Sequence, residues 1–331
     1  MDLDSGEYDR RKVVLLIALK IVLGVLVALV LLFAIFVWAN WAPDRPVSAL
    51  QERWAPPPSQ FIEVMGMQVH VRDEGPRDDP SPVVLMHGTG SSLHDWEGWA
   101  AALRDKRRVI TFDLPGFGLT GPSPDSDYSL EHMTRFLLAL LDKLGVKRCV
   151  LGGNSLGGAI SWRTALLEPS RVDKLILVDV RAYPARPNSV PLGFRLARIP
   201  GINWLLVNTL PRSLVAQGMR NTAGDPSFVT PERIDRHYDL MLREGNRRAF
   251  LERARRRDPS SPLVARIPEL KLPTLIMWGG RDRLIPPENA ERLHRDIAGS
   301  KLVIFDDLGH APEDEDPGRT VKPVKEFLGI E

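Results

Sequence analysis

The stretch Arg148-Cys149-Val150-Leu151-Gly152-Gly153-Asn154-Ser155-Leu156-Gly157-Gly158 passes from an apolar run into a helix-like run, with one serine at the junction. A serine at the tip of a sharp strand-to-helix turn occupies a strained backbone position, and glycines two residues before and two after it let neighbouring chain pass closely. The hydroxyl is exposed there, and the N-terminus of the following helix favours developing negative charge. This layout predicts Ser155 as a nucleophile.

A serine in this role needs a base and an acid, and the order Ser, acid, His is available downstream. Asp282 follows the apolar run Leu275-Ile276-Met277-Trp278 and the turn Gly279-Gly280-Arg281. His310 follows a second run, Leu302-Val303-Ile304-Phe305, in the loop Asp306-Asp307-Leu308-Gly309-His310. Both sit just beyond strand-like ends, and in an open parallel sheet all C-terminal strand ends gather along one edge. Three residues far apart in sequence can converge there.

These segments resemble the α/β-hydrolase superfamily, with matches at Met86-His87-Gly88-Thr89-Gly90, Asp113-Leu114-Pro115-Gly116-Phe117-Gly118, Gly153 to Gly158, Gly280-Arg281-Asp282 and Gly309-His310. The resemblance covers roughly residues 61–331 and is loose between Arg181 and Lys271. It implies a doubly wound, mostly parallel α/β sheet and a serine hydrolase that needs no metal or organic cofactor. It also implies an oxyanion hole made by the backbone N–H groups of Leu156 and Thr89. Asp179, at another strand end, is a second acid candidate because some members place the acid there; Arg281-Asp282 followed by Pro286 is closer to the usual site. His87 is expected to brace the oxyanion loop and Asp113 to shape its turn, while His70, His94, His132, His237 and His294 are expected to be structural or exposed.

Serine at position 155 sets aside the branches that use an aspartate nucleophile. Ester hydrolysis of a lipophilic or acyl ester is the leading expectation. Hydrolysis of carbon–carbon bonds in vinylogous diketones comes second: Gly152-Gly153-Asn154-Ser155 fits that group in outline, but Gly88-Thr89-Gly90-Ser91-Ser92 and Ala311 after His310 depart from it. A receptor-like binding role with slow turnover is the third.

The chain has 331 residues and a formal net charge of +2, which argues against a dedicated nucleic-acid binder. Its single cysteine, Cys149, lies in a predicted buried strand and excludes an intrachain disulfide. No protein partner is implied.

Val13 to Ala39 is almost continuously apolar, broken by Lys20 and Gly24, and is long enough to span a bilayer. It exceeds the apolar region of a secretory signal and is predicted as an uncleaved anchor behind a short tail, 1–12. Lys20 can snorkel to the near interface, and Trp38 and Trp41 suit the far one. Arg10, Arg11 and Lys12 outnumber Arg45 and Arg53, which favours a cytoplasmic amino end and a catalytic domain outside.

Residues 40–60, with Pro56-Pro57-Pro58, read as a stiff spacer between the anchor, 13–39, and the enzyme. Strand and helix patterns alternate over 61–180 and resume over 272–331, which predicts the hydrolase core. Between them, 181–271 breaks into helix-like, proline-punctuated pieces and reads as a helical cap. Arg253, Arg255, Arg256 and Arg257 there read as a solvated face paired with Glu244 and Glu252, or as a patch drawn to anionic lipid. The acidic run Glu313 to Asp316, with Asp306 and Asp307, is expected to be solvated.

Overall fold

The structure, a computed structural model, describes residues 5–184, 187–255 and 262–330. Arg256 and Arg257 lie outside the described residues. Eight strands form one sheet: β1 (Gln60–Val64), β2 (Met67–Glu74), β3 (Val83–Met86), β4 (Val109–Phe112), β5 (Cys149–Asn154), β6 (Val172–Val178), β7 (Thr274–Gly279) and β8 (Lys301–Phe305), in the order β1-β2-β4-β3-β5-β6-β7-β8. The opening hairpin and the β2–β4 pair are antiparallel, and every other pair is parallel. The order reverses around β3, so β5 and its C-terminal end lie near the middle of the sheet, where such folds bind ligands.

Side-chain alternation explains why both faces are covered. Val84 and Met86 join one apolar cluster with Phe112, Phe136 and Ile160, while Val83 and Leu85 join another with Trp96, Trp99 and Val324. A strand that buries residues of both parities needs helices on both sides. These are α3 (Glu97–Leu103), α4 (Leu130–Lys143), α5 (Leu156–Leu167), α11 (Glu288–Asp296) and α13 (Pro317–Leu328). The start of α4 is set by Ser129, whose side chain accepts from the His132 N–H at 3.1 Å, and Gly145 follows its end with φ +68°.

Between β6 and β7 run α6 (Leu192–Leu196), α7 (Asn203–Asn208), α8 (Arg212–Thr222), α9 (Pro231–Met241) and α10 (Asn246–Arg255). α9 and α10 are separated at Gly245, whose φ of +84° an L side chain adopts only with strain. A short α12 (Pro312–Glu315) follows the His310 loop.

The amino end forms one helix, α1 (Ser5–Ala39), whose side chains are exposed and whose most apolar window has a mean hydropathy of 3.2. It is long and apolar enough to cross a membrane. The segment after it is packed on the enzyme rather than standing off as a spacer. Ala42 N–H donates to Asn208 O at 2.9 Å, Arg45 N–H to Leu242 O at 2.7 Å and Glu244 N–H back to Arg45 O at 2.9 Å. Arg45 and Trp54, the latter in α2 (Gln51–Trp54), both hydrogen-bond Asp239 of α9, at 2.7 and 3.0 Å. Proline content suggested stiffness here; it could not reveal a partner surface nearly two hundred residues away.

Candidate active site

Ser155 stands between β5 and α5 with φ +50° and ψ −104°, a region costly for a residue with a Cβ. The flanking glycines make room for that turn. A Cβ on Gly153 would strike the Gly157 carbonyl group, and one on Gly157 would strike the Met86 carbonyl of the adjacent strand. The loop after β3 comes equally close: a Cβ on Gly88 would lie 3.3 Å from the Ser155 Cβ. Leu156 is the first residue of α5, so its N–H has no intrahelical acceptor. Thr89 is in the loop beside Ser155, and its Oγ1 accepts from Arg253 Nη2 of α10 at 3.3 Å.

His310 and Asp282 meet at 2.6 Å between Nδ1 and Oδ2. The other carboxylate oxygen of Asp282 accepts the N–H groups of Leu284 and Ile285 at 2.7 and 2.9 Å, so its orientation is fixed from both ends. His310 is held in turn by its backbone: its N–H donates to Thr222 O of α8 at 2.9 Å, and its carbonyl accepts from Asn154 Nδ2 at 2.8 Å. Asn154, one residue before Ser155, therefore ties the serine turn to the histidine loop. Ser155 and His310 line one cavity of about 1550 Å³ and are each 8% exposed, while Asp282 is 2% exposed. Ionisation of Asp282 is disfavoured by burial, but the charge and hydrogen bond of His310, with a hydrogen bond from Asp179, hold its carboxyl below the usual range.

Asp179, the second acid candidate, is part of the same group. It is fully buried at the end of β6 with φ +43°, accepts the Gly279 N–H at 3.1 Å, and has a carboxyl oxygen within 4.8 Å of ligand-type atoms of both Asp282 and His310. Burial first, and then the charge of Asp282 and the hydrogen bond between the two carboxyls, push its carboxyl well above the ordinary value, which favours Asp179 as the proton-bearing member of the pair. Two carboxyls and an imidazole at this spacing could be mistaken for a cation site. Asp282 instead sits between the other two as the common acceptor, bonded by His310 Nδ1 at 2.6 Å and by Asp179.

His87 has a supporting position. Its Nε2 accepts the Leu114 N–H at 3.0 Å, which leaves the proton on Nδ1, donated to Gly88 O at 2.7 Å; burial lowers its basicity. Asp113 accepts from the Leu93 and Leu119 N–H groups at 2.8 Å and meets His70 Nδ1 at 2.8 Å, all inside the core.

The acidic run after His310 departs from expectation. Glu313 is fully buried, Asp314 pairs with Arg233 at 2.5 Å, and Glu315 accepts the N–H groups of Gly224 and Gly309 at 2.9 and 3.0 Å. Of the four only Glu313 is fully buried, Asp314, Glu315 and Asp316 being partly buried, and Asp306 and Asp307 are exposed as expected. Burial chiefly, then the charge of Asp95, raises the affinity of Glu313 for protons. Burial chiefly, then the charge of Asp314, pushes Asp95 up to about 7 against Arg236 and a hydrogen bond from Ser91. An acid whose folded pKa exceeds its unfolded value binds its proton more tightly when folded, so this group's contribution to stability falls as pH rises from about 4 to about 7. Asp95→Asn is therefore expected to raise thermal stability relative to wild type more at pH 8 than at pH 5, by up to a few kcal/mol, on the order of 1.4 kcal/mol per pKa unit. Equal melting differences at both pH values would show that Asp95 is not held protonated.

The alpha/beta hydrolase fold family matches residues 81–317, which is most of the chain. The chain belongs to that family. This hydrolase is 31% identical over 274 residues to the 2-hydroxy-6-oxo-2,4-heptadienoate hydrolase of Pseudomonas putida, covering 80% of this chain and 94% of that enzyme. A thermophilic esterase from Thermogutta terrifontis superimposes with a TM-score of 0.66 at 28% identity, over 82% of this chain and 98% of the esterase. A bacterial membrane phospholipase A superimposes over 97% of this chain and 98% of its own, with a TM-score of 0.68 at 23% identity. At that identity the last likeness is one of fold.

Proposed function

We propose that this hydrolase is a membrane-anchored serine esterase acting on lipophilic esters. The observation that carries the proposal is the 2.6 Å His310–Asp282 hydrogen bond on the wall of the cavity that also exposes Ser155 from its strained turn. With Nδ1 occupied, the imidazole keeps Nε2 as a base. It removes the Ser155 proton as Oγ attacks the substrate carbonyl, and the resulting oxyanion is met by the Leu156 and Thr89 N–H groups, each worth a few kcal/mol in the transition state. His310 returns the proton to the leaving alcohol. Water then attacks the acyl-enzyme with the same imidazole as base. Asp282 holds the tautomer and stabilises the imidazolium, and Asp179 fixes Asp282.

Carbon–carbon bond hydrolysis is the second reading, supported by the likeness to the Pseudomonas putida enzyme. The two separate on full-length protein in detergent: kcat/KM for medium-chain p-nitrophenyl esters is expected to exceed that for a vinylogous diketone by at least a hundredfold. The reverse order overturns the ester reading.

Anchoring rests on α1 and on what lies at its end. Trp38, Trp41 and Trp204 are large, exposed aromatics, and the Trp41 and Trp204 rings pack 6.1 Å apart where the chain leaves α1 and meets α7. Tryptophans at that level suit a membrane interface. With a cytoplasmic amino end, as the flanking cations favour, the catalytic domain lies outside. The full-length protein is expected to stay in the membrane pellet through an alkaline carbonate wash, and to lose its catalytic domain to protease added outside intact cells. Release by carbonate, or protection from that protease, would refute the anchor or its orientation respectively.

A further inference from the structure

We propose that Arg247 is a binding site for a negatively charged oxygen group, a carboxylate or a phosphate, carried by the ester substrate; the inference rests on the ester reading above. Arg247 is in the first turn of α10, is 4% exposed, and lines the same cavity as Ser155. Its Nη2 donates to Asp44 Oδ1 at 2.5 Å, and the second oxygen of Asp44 accepts the Gly245 N–H at 3.2 Å. Its Nε and Nη1 are buried and have no hydrogen-bond partner among the described residues. A guanidinium cannot shed its charge to relieve this, and every unfilled N–H in a dry wall is a standing cost that an acceptor oxygen removes.

The surroundings set the vacant donors in the wall of the substrate cavity. Phe250 and Ala254, three and seven residues on, also line the cavity, so one face of α10 looks into it. Three acids on the cavity wall are engaged elsewhere, Asp314 with Arg233, Glu315 with the N–H groups of Gly224 and Gly309, and Asp95 with Ser91, and the fourth, Glu131, is exposed at the start of α4. Six residues along the same helix, Arg253 reaches Thr89 beside the oxyanion position. At 1.5 Å per residue the helix separates these two arginines by about 9 Å, enough to place an anionic group several bonds from the reacting carbonyl.

Asp44 makes the idea signed. It comes from the segment that follows α1, and it competes with an incoming anion for the same guanidinium. A purely structural Arg247–Asp44 pair requires loss of either partner to weaken the protein alike. A binding site requires the two variants to move ligand affinity in opposite directions.

The test uses full-length Ser155→Ala protein in detergent and calorimetric binding of hexyl phosphate, hexanoate, hexanol and inorganic phosphate. Hexyl phosphate or hexanoate is expected to bind at least tenfold more tightly than hexanol; whichever anion leads identifies the source of the charge, and inorganic phosphate alone is expected to bind weakly. Arg247→Met should erase the preference, Arg247→Lys should keep part of it, and Asp44→Asn should strengthen it. No preference for either anion, or equal losses for anion and alcohol in Arg247→Met and Asp44→Asn, overturns the proposal. Failure of wild type to turn over any ester would instead strike the ester reading, because the binding measurement does not depend on turnover.

Discussion

Ser155→Ala is expected to lower kcat by a factor of about 10⁴ to 10⁶ while the protein stays folded, because it removes the attacking atom and leaves only the contribution of the oxyanion donors and substrate binding. Among the described residues the Ser155 hydroxyl makes no hydrogen bond whose loss should unfold the turn; its strained φ of +50° is imposed by the close packing of Gly153, Gly157 and Met86. Far-ultraviolet circular dichroism and melting temperature should therefore match wild type within error, since alanine keeps the Cβ and leaves the strain of that position unchanged. Turnover within tenfold of wild type would show that another group attacks the substrate.

The second large effect separates the two buried acids. Asp282→Asn keeps the shape of the side chain but cannot stabilise an imidazolium, and it allows the wrong His310 tautomer, so kcat should drop by about 10⁴. Asp179→Asn is different. An amide donates an N–H where the protonated carboxyl donated its O–H, so the hydrogen bond to Asp282 survives, and less than about a tenfold loss is expected. The pair of variants, assayed on one ester with melting temperatures alongside, decides which acid serves His310. A larger loss in Asp179→Asn than in Asp282→Asn would invert the assignment.

The core of the fold was legible because its signals are local. Apolar runs of strand length alternate with helical patterns, and the special residues fall at the ends of those runs; the parallel sheet then carries Asn154, Asp179, Gly279 and Phe305 to one edge. The same rule brings the serine turn and the aspartate and histidine loops into one region without any knowledge of side-chain contacts. What local pattern does not encode is a partner distant in sequence. Asp44 and Trp54 read as spacer residues, yet they bond to Arg247 and Asp239 of the cap. Glu313 reads as one acid in a solvated run, yet α12 turns it inward near Asp95, where burial raises its affinity for protons. Asp179 could be weighed only as a rival to Asp282. Its place behind Asp282, within reach of that carboxylate, appears only when β6 and β7 are side by side.

Arg253 shows the same boundary from the other side. Its cluster of arginines read as a solvated or lipid-facing surface, but its own guanidinium turns into the structure, over the Phe117 ring at 4.8 Å and onto Thr89. A count of charges cannot separate an inward arginine from an outward one, since a long side chain on a cap helix can serve either way.

The most direct test is labelling of the full-length protein, in detergent, with a fluorescent phosphonate that traps activated serines, followed by mass mapping of the adduct. The expected result is one adduct per chain, on Ser155, formed by wild type, absent from Ser155→Ala and strongly slowed in Asp282→Asn. An adduct on a different serine, or none in folded wild type that still turns over an ester, contradicts the assignment of Ser155 as the nucleophile.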